Sequence, residues 1–223
     1  MIKYCIMAML ILNGLQESFD RTTNERWVGF KVGSYVKFKM VLRIAGKESA
    51  SREFTNKVTK VTDREVFVFS DEDSTHPREQ GFTNVLNSAK ARQKGAKSET
   101  IKIDNAEYAC DVLTEDLGNG FSNTTWWCDK APGKIVKRVG RTPEGSESVQ
   151  ELVKLSEVVK VGKDKYDCIA IRMKTTGRVA PTVTTWYSTK VPGSIVLRVS
   201  EGKNEKGEVV EAREELVELK VAD

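Results

Sequence analysis

The chain has 223 residues, of which 39% are hydrophobic, enough to bury the core of one large β domain or two small ones; one domain is favoured. Its 36 basic and 32 acidic residues are mixed along the sequence and give a net charge of only +4, which excludes a nucleic-acid-binding surface of clustered positive charge. No stretch approaches the roughly 20 apolar residues of a transmembrane helix, so such a helix is excluded as well.

Residues 1–15 have the features of a secretory signal peptide. Met1-Ile2-Lys3 supplies a positive start, Tyr4 to Leu12 supplies an apolar stretch, and an Asn-Gly break follows. No small-x-small triplet precedes Gln16, so the cleavage site is not defined, and a first strand or buried N-terminal segment is the alternative. We expect residues 16–223 to form one exported domain, periplasmic or secreted.

The first predicted elements are one strand followed by a β-hairpin. Tyr35 to Ile44 begins with alternating aromatic and lysine residues, which predicts a strand. Arg52 to Thr62 and Glu65 to Ser70 flank Asp63-Arg64, which predicts a tight hairpin. Val66 to Phe69 is apolar on both faces, so we expect a central, well-covered strand there.

Asp71 to about Thr100 is the least strand-like part of the chain. Within it, Asn84 to Lys97 carries four basic residues and no acidic one, which fits a short helix or a loop. A solvated excursion is favoured over contact with anionic lipid or a partner. His76, the single histidine, has no Cys/His spacing around it, so we expect no metal site and no cofactor.

Most of one stretch in the second half of the chain occurs twice. Residues 124–139 and 184–199 share, in register, paired threonines, a tryptophan, a lysine, Pro-Gly, Ile-Val and Arg-x-Val. This pattern predicts internal repeats at about 101–161 and 162–223, with a fainter partial copy at about 27–70. The glycines at matching places are then expected at equivalent bends of one sheet, namely Gly33, Gly133 and Gly193.

Each copy is predicted to form a three-stranded antiparallel meander. Pro132-Gly133 and Pro192-Gly193 are expected to kink the middle strand of each copy and so to curve the sheet. Helical spacing leaves a helix open at Glu208 to Val221, but the turn before it favours a strand. The predicted strands are Ile101–Asp116, Asn123–Arg141 and Ser146–Val161, then Lys165–Lys174, Thr182–Ser200 and Glu208–Val221.

Two cysteines are placed symmetrically about a turn. Cys110 and Cys128 are equidistant from Asn119, in a Leu-Gly-Asn-Gly sequence that strongly predicts a turn. A symmetric hairpin would set their sulfurs opposite each other. A disulfide in an oxidising compartment is one interpretation, and two buried thiols are the other. Ser188 replaces the second cysteine in the later copy, which leaves Cys168 without that partner.

No known catalytic constellation is present, and we predict that the protein is not an enzyme. There is no nucleophile elbow, no glycine-rich phosphate loop before a helix and no His-Glu-x-x-His pattern. The aromatic pairs Trp126-Trp127 and Trp186-Tyr187 occupy equivalent strand positions, with one ring of each pair on each face. They either pack in the core and cover the surface, or line a site for a hydrophobic ligand.

The stretch Trp186-Tyr187-Ser188-Thr189-Lys190-Val191-Pro192-Gly193-Ser194-Ile195-Val196, after a signal-like N-terminus, resembles the LolA/LolB-like lipoprotein-carrier superfamily. The resemblance implies a mainly β fold: a single strongly curved antiparallel sheet, an unclosed half-barrel, with a few short helices over its concave side. In that superfamily the concave side accepts acyl chains. No ligand residue carries over, because the shared pattern is structural.

Two functions follow as hypotheses. The first is an exported, non-enzymatic protein that binds a lipid, a lipoprotein acyl chain or another apolar ligand in the concave face, with Trp126, Trp127, Trp186 and Tyr187 as candidate ligand-binding residues. The alternative is a structural or interaction module of the cell envelope, with its trough filled by its own side chains and an edge strand paired with an envelope protein. Continuity of apolar side chains on the concave face separates the two.

Overall fold

A computed structural model of the chain describes residues 26–83, 97–131, 135–176 and 181–223. These residues form strands and turns but no helix, so the few short helices expected above are not confirmed within those ranges. The strands are β1 (Tyr35–Ile44), β2 (Lys47–Val61), β3 (Glu65–Ser70), β4 (Arg78–Thr83), β5 (Lys97–Ile103), β6 (Ala106–Gly118), β7 (Phe121–Trp127), β8 (Ile135–Arg141), β9 (Glu147–Val161), β10 (Asp164–Thr175), β11 (Thr182–Tyr187), β12 (Ile195–Lys203) and β13 (Val209–Lys220).

All of these strands belong to one antiparallel sheet, in the order β4-β3-β2-β1-β13-β12-β11-β10-β9-β8-β7-β6-β5. Neighbours in the sheet are neighbours in sequence except at one junction, where β1 pairs with β13. Consequently β4 and β5, which are successive in the chain, form the two edges. The predicted single, unclosed antiparallel sheet is confirmed. The predicted signal peptide at 1–15 and nearly all of the basic segment at 84–97 lie outside the described residues.

Side chains alternate between the core and solvent, as the period of a strand requires. On β1, Val36 and Phe38 are fully or almost fully buried, whereas Lys37 lies between them on the other face and forms an ion pair with Glu53 of β2. This alternation fixes the register, because a slip of one residue would turn the apolar set towards water.

Both stretches that were expected to be one long kinked strand are two separate strands, so the prediction of a kink within one strand is wrong. β7 lies antiparallel beside β8, with Trp126 opposite Lys137, and β11 lies in the same way beside β12, with Trp186 opposite Leu197. At Pro192, which has no N–H to donate to a ladder, the chain reverses instead of continuing as one strand. The units at 101–161 and 162–223 are therefore not three-stranded meanders.

The second of these connections is a tight turn. The backbone N–H of Ser188 donates to the carbonyl of Ser194 at 2.7 Å, and the N–H of Ser194 donates to the carbonyl of Val191 at 2.7 Å. Gly193 adopts a φ of 75° there. Gly33, with a φ of 92°, precedes β1, whereas Gly133 lies outside the described residues. The predicted equivalence of the three glycines as bends within long strands is therefore not found for the two that are described.

Three further predictions were wrong in detail. The stretch 101–116 is divided between β5 and β6 by a turn at Asp104, whose φ is 52°. β4 lies in the region expected to be irregular. β3 is next to an edge, and its Phe69 is 38% exposed, so it is not a central, well-covered strand.

Other predictions are confirmed. Asp63-Arg64 joins β2 to β3 as a hairpin, and the Gly118-Asn119-Gly120 turn joins β6 to β7 with a positive φ at all three residues. The last segment is a strand, β13, and not a helix.

The sheet is strongly curved. Asp104, in the turn after β5, accepts a hydrogen bond from Lys154 Nζ at 2.8 Å and one from the backbone N–H of Leu155 at 3.4 Å. Both partners are on β9, which is four strands away in the sheet order. In a flat sheet that separation would be about 19 Å, since neighbouring strands lie about 4.8 Å apart. The β5–β6 hairpin therefore curls back onto β9.

Buried side chains form two clusters. The larger joins β1, β2 and β3 to β12 and β13, with Phe38, Phe54, Val196 and Leu216 among its members. The smaller lies under the curled β5–β6 hairpin and contains Ile103, Cys110, Cys128, Val136 and Leu152. The curvature is therefore supported by apolar packing on the inside of each curl.

Trp27 ties the N-terminal part of the described chain to the β11–β12 turn. It is only 5% exposed and packs directly on Gly193, where an added Cβ would lie 2.7 Å from its Cζ2. The N–H of Gly193 also donates to the carbonyl of Arg26 at 3.2 Å. Glycine is required here both for the positive φ and for the close approach of the indole.

We expect Gly193→Ala to destabilise the protein more than Gly207→Ala. Both glycines have positive φ, 75° and 78°, so both variants carry the roughly 1–2 kcal/mol cost of a left-handed alanine. Only the first adds a methyl group against Trp27, for a further cost of about 1–3 kcal/mol, because nothing lies within 4 Å of a Cβ at Gly207. Urea unfolding measures both, and equal losses would contradict the contact.

Candidate functional site

A cavity of about 540 Å³ lies across the middle of the sheet, between the start of β8 and the β11–β12 turn. Its apolar wall comes from β8, β9 and β10: Ile135, Leu152, Leu155, Ile169 and Ile171. Ile169 pairs with Tyr187 of β11, and Ile171 pairs with Leu152 of β9, so these side chains share one face of neighbouring strands. The cavity volume falls within the roughly 300–1,000 Å³ typical of small-molecule sites.

A cation and an aromatic ring close one side of this cavity. The Arg26 guanidinium lies 4.5 Å from the centroid of the Tyr187 ring, and its Nη2 donates to the Tyr187 hydroxyl at 3.2 Å. Arg138 of β8 and Asp167 of β10 also line the cavity. The site therefore combines a broad apolar surface with a few polar groups, as ligand pockets commonly do.

A buried ion pair lies on the neighbouring strands. Arg198 of β12 donates from Nη1 to Glu214 Oε2 of β13 at 3.0 Å, and the Glu214 residue is only 9% exposed. Burial raises the pKa of the Glu214 carboxyl above its ordinary value, against the opposing effect of Arg198. Loss of either partner would leave a buried charge without compensation, which is strongly destabilising.

The four aromatic candidates are divided between different places. Tyr187 lines the large cavity, and Trp186 lines a smaller one of about 500 Å³ on β9, β10 and β11. Trp126 packs against the smaller core cluster. Trp127 is half-buried and lines neither cavity. The structure therefore does not bring the four rings into one site.

Two of the tryptophans make the same hydrogen bond. Trp126 Nε1 donates to Glu99 Oε2 at 2.7 Å, and Trp186 Nε1 donates to Glu157 Oε2 at 2.7 Å. In each case the carboxylate lies two strands away in the sheet: Glu99 is on β5 and Trp126 on β7, and Glu157 is on β9 and Trp186 on β11. The polar end of each half-buried indole is satisfied in this way.

The smaller cavity is lined largely by charged side chains that bind one another. Asp104 is bonded to Lys154, and Glu151 accepts two bonds from Arg172, at 2.7 and 2.9 Å. An apolar ligand would have to cover these ion pairs, which makes this the poorer candidate for such a site.

The three cysteines in the described ranges are buried. The last ladder pair of β6 and β7 is Asp111 with Trp127, so Cys110 and Cys128 come next in register and lie near each other. Burial, together with the Cys128 thiol, raises the pKa of Cys110 to about 11, and burial raises that of Cys168 to the same value. The disulfide stays a prediction.

The single histidine, His76, lies at the surface. His76 is 85% exposed, 3.5 Å from Asp73. Within the described ranges, no group of three or more His, Cys, Asp or Glu side chains converges on a metal-sized site. No helix in those ranges is long and apolar enough to cross a membrane.

Apart from Tyr187, the sequence patterns did not indicate the residues that line the large cavity. Ile169 and Ile171 read as ordinary strand residues, and Arg26 fell in a segment without periodicity. One signal was present: Arg138 and Arg198 occupy the same place in the repeated Arg-x-Val, so the arginine was visible as a recurring residue. Its position beside a cavity depends on the fold.

No family model and no curated protein matches the chain. Among solved structures, a predicted lipoprotein from Parabacteroides distasonis is 11% identical with a TM-score of 0.41, over 87% of this chain and 98% of that one. A predicted exported protein with a YmcC-like fold from Bacteroides fragilis is 12% identical, with a TM-score of 0.36 over 87% and 98%. A LolA superfamily protein from Nitrosomonas europaea is 10% identical, with a TM-score of 0.35 over 91% of each chain.

The superfamily that the sequence resembles is therefore represented among the structural neighbours.

A double-mutant cycle measures the indole–carboxylate bond. We expect Trp186→Phe and Glu157→Gln to couple by about 1 kcal/mol in urea unfolding, because a hydrogen bond to a charged group contributes about 1.5–3 kcal/mol and partial exposure reduces it. The crossed pair, Trp126→Phe with Glu157→Gln, should show no coupling, since Trp126 binds Glu99 instead. Equal coupling in the two cycles would contradict the bond.

Proposed function

We propose that the protein is an exported, non-enzymatic carrier that binds a lipid, a lipoprotein acyl chain or another apolar ligand in the large cavity. The observation that carries this proposal is the continuous apolar wall of Ile135, Leu152, Leu155, Ile169 and Ile171 around a volume of about 540 Å³. Binding and release of a hydrocarbon chain need only burial, at about 0.8 kcal/mol for each methylene, and no reacting group.

The site assignment is revised within this proposal. Tyr187 keeps its role as a ligand-contacting ring, since it lines the large cavity next to Ile169. Trp126, Trp127 and Trp186 are proposed to support the curled hairpins instead, because Trp126 and Trp186 have their indole N–H groups bonded to carboxylates.

A module that binds an envelope protein is the second candidate. The β6–β7 hairpin carries two large apolar side chains at its tip, Leu117 at 62% exposure and Phe121 at 44%. Exposed apolar groups that lie close together commonly mark contact surfaces. This function and ligand binding are compatible, since the tip and the large cavity share no lining residue.

We also infer that the two segments are copies of one unit. Trp126 and Trp186 are each followed by a register shift, between β7 and β8 and between β11 and β12. Cys110 and Cys168 each donate to the carbonyl two residues earlier, at 3.3 and 3.4 Å. Together with the two indole–carboxylate bonds, these shared features support a repeated unit. It begins with the two strands that precede each tryptophan strand, β5 and β6 before β7, and β9 and β10 before β11.

Binding of a neutral apolar dye, N-phenyl-1-naphthylamine, tests the carrier function. We expect saturable binding to the wild type and a dissociation constant about thirtyfold higher in Ile169→Ser, because the loss of an isoleucine side chain that the ligand would cover costs about 2 kcal/mol. Val158→Ser is the control, since Val158 is 54% exposed on β9 and lines neither cavity. Absence of saturable binding to the wild type would overturn the proposal.

Export and the disulfide are tested together. In the proposed mature protein without residues 1–15, we expect Cys110 and Cys128 to be bridged and Cys168 to remain free. Thiol counting on protein recovered from its native compartment, denatured without reductant, should find one thiol. Three thiols would show that the bridge does not form.

A further inference from the structure

A small residue separates two large side chains in the smaller cavity. Ala170 of β10 lies opposite Trp186 of β11 on one side and opposite Lys154 of β9 on the other. Because the alanine side chain ends at Cβ, space is left between the indole and the lysine. The turn between β5 and β6 borders this space, since Asp104 in that turn binds Lys154. All four residues line the cavity, whose volume is about 500 Å³.

The matching place in the first copy is filled. There Val112 of β6 lies opposite Trp126 of β7 and is 8% exposed. On the other side of Trp126, the ammonium of Lys137 lies 4.9 Å from the centroid of the indole ring, whereas the residue opposite Trp186 is Leu197. The two tryptophans share the indole–carboxylate bond, but Trp186 lines one of the two cavities described above and Trp126 lines neither.

The charges that line the smaller cavity are balanced. Three basic side chains and three carboxylates border it, namely Lys102, Lys154, Arg172, Asp104, Glu151 and Glu157. Arg172 donates from Nε and Nη2 to Glu151, and Trp186 Nε1 donates to Glu157. The cavity therefore presents oriented polar groups with no excess charge to attract an ion.

Ion pairs of this kind keep further bonding capacity. A guanidinium has more N–H groups than the two that Arg172 directs to Glu151, and a carboxylate has several lone pairs. A hydroxyl group both donates and accepts, so a ligand that carries hydroxyls can bind to such a pair without replacing either partner. A hydrocarbon chain would instead cover the charges without bonding to them.

We propose that the smaller cavity binds a saccharide, with one pyranose ring stacked on the indole of Trp186 and its hydroxyls bonded to the Arg172–Glu151 ion pair. Equatorial hydroxyls suit this arrangement, because they leave axial C–H groups to meet the negative face of the aromatic ring. The bond to Glu157 orients the indole in advance, which reduces the ordering cost of binding. The saccharide site goes beyond the carrier function and does not depend on it.

Titration with cellobiose and with chitobiose tests the site, since both are disaccharides of pyranose rings with equatorial substituents. The indole N–H resonances are followed in proton–nitrogen NMR spectra and are assigned through Trp186→Phe and Trp126→Phe. We expect at least one of the two disaccharides to shift the Trp186 resonance saturably, with a dissociation constant of about 1 mM. The Trp126 resonance should stay in place, and it is the internal control because Trp126 makes the same kind of hydrogen bond outside both cavities.

Ala170→Val gives the second copy the valine of the first. It should weaken disaccharide binding about tenfold, because the added methyl groups fill the space beside Trp186. Unmoved indole resonances of the other three tryptophans show that the variant is folded. Ala50→Val is the matched control and should bind like the wild type, since Ala50 is exposed on β2 and lines neither cavity.

Sorbitol has the hydroxyls but no ring, and it should bind about tenfold more weakly than the disaccharide because it loses more conformational freedom. Any of four results would overturn the proposal. These are no saturable shift of the Trp186 resonance with either disaccharide, equal shifts of the Trp126 and Trp186 resonances, sorbitol binding as tight as that of the disaccharide, and undiminished binding by folded Ala170→Val.

Discussion

The pairing of β1 with β13 is the constraint on which the rest of the structure depends. It joins residues from opposite parts of the sequence, such as Val36 with Leu219 and Ile44 with Val210. Without it, the four strands on one side and the nine on the other would be separate sheets. The larger core cluster also spans this junction, since Phe38 and Phe54 pack with Val196 and Leu216.

Strand pairing between residues so distant in sequence slows folding. Its contacts close a loop of more than 150 residues, and loop closure must precede the contacts that stabilise it. The hairpins on either side are local and can form early. The β1–β13 ladder and the core behind it are therefore expected to be consolidated late in folding.

The candidate site is a product of the hairpin connections. Because β11 turns back into β12 at Gly193, the turn stands at the rim of the large cavity, where Ser188 and Ser194 line it. Trp27 packs on the same turn and its neighbour Arg26 reaches Tyr187. A change in this turn would thus act on core packing and on the site at once, which links stability to binding.

The sequence was sufficient for the features that local chemistry determines. Alternating side chains predicted individual strands, and the family resemblance implied that they form one antiparallel sheet. Gly118-Asn119-Gly120 predicted its turn, because few other residues adopt a positive φ at low cost. Pro192-Gly193 led to a wrong prediction, because this pair is compatible with either a kink within a strand or a reversal between two strands. Only the pairing of β11 with β12 distinguishes the two. The turn at Asp104 was missed because the apolar alternation of Ile101 and Ile103 resumes almost at once in β6.

The site was less predictable than the fold. Ile169 and Ile171 have the pattern of any buried strand, and their exposure to a cavity depends on how sharply the adjacent hairpins curl. The ion pair between Arg198 and Glu214 likewise depends on the register of β12 with β13, which sets the two residues opposite each other. Long-range pairing, which no local pattern encodes, supplies that information.

The two edges of the sheet are consecutive in the chain, and this has a mechanical consequence. From Thr83 at the end of β4 to Lys97 at the start of β5 there are fourteen peptide steps, which can span at most about 50 Å. Laid flat, the order from β4 to β5 would cover twelve inter-strand spacings, or about 58 Å. The covalent chain is too short to permit a flat sheet. The number of residues between them limits the distance from Thr83 to Lys97, so the concave side can widen only up to a fixed limit without breaking strand pairs.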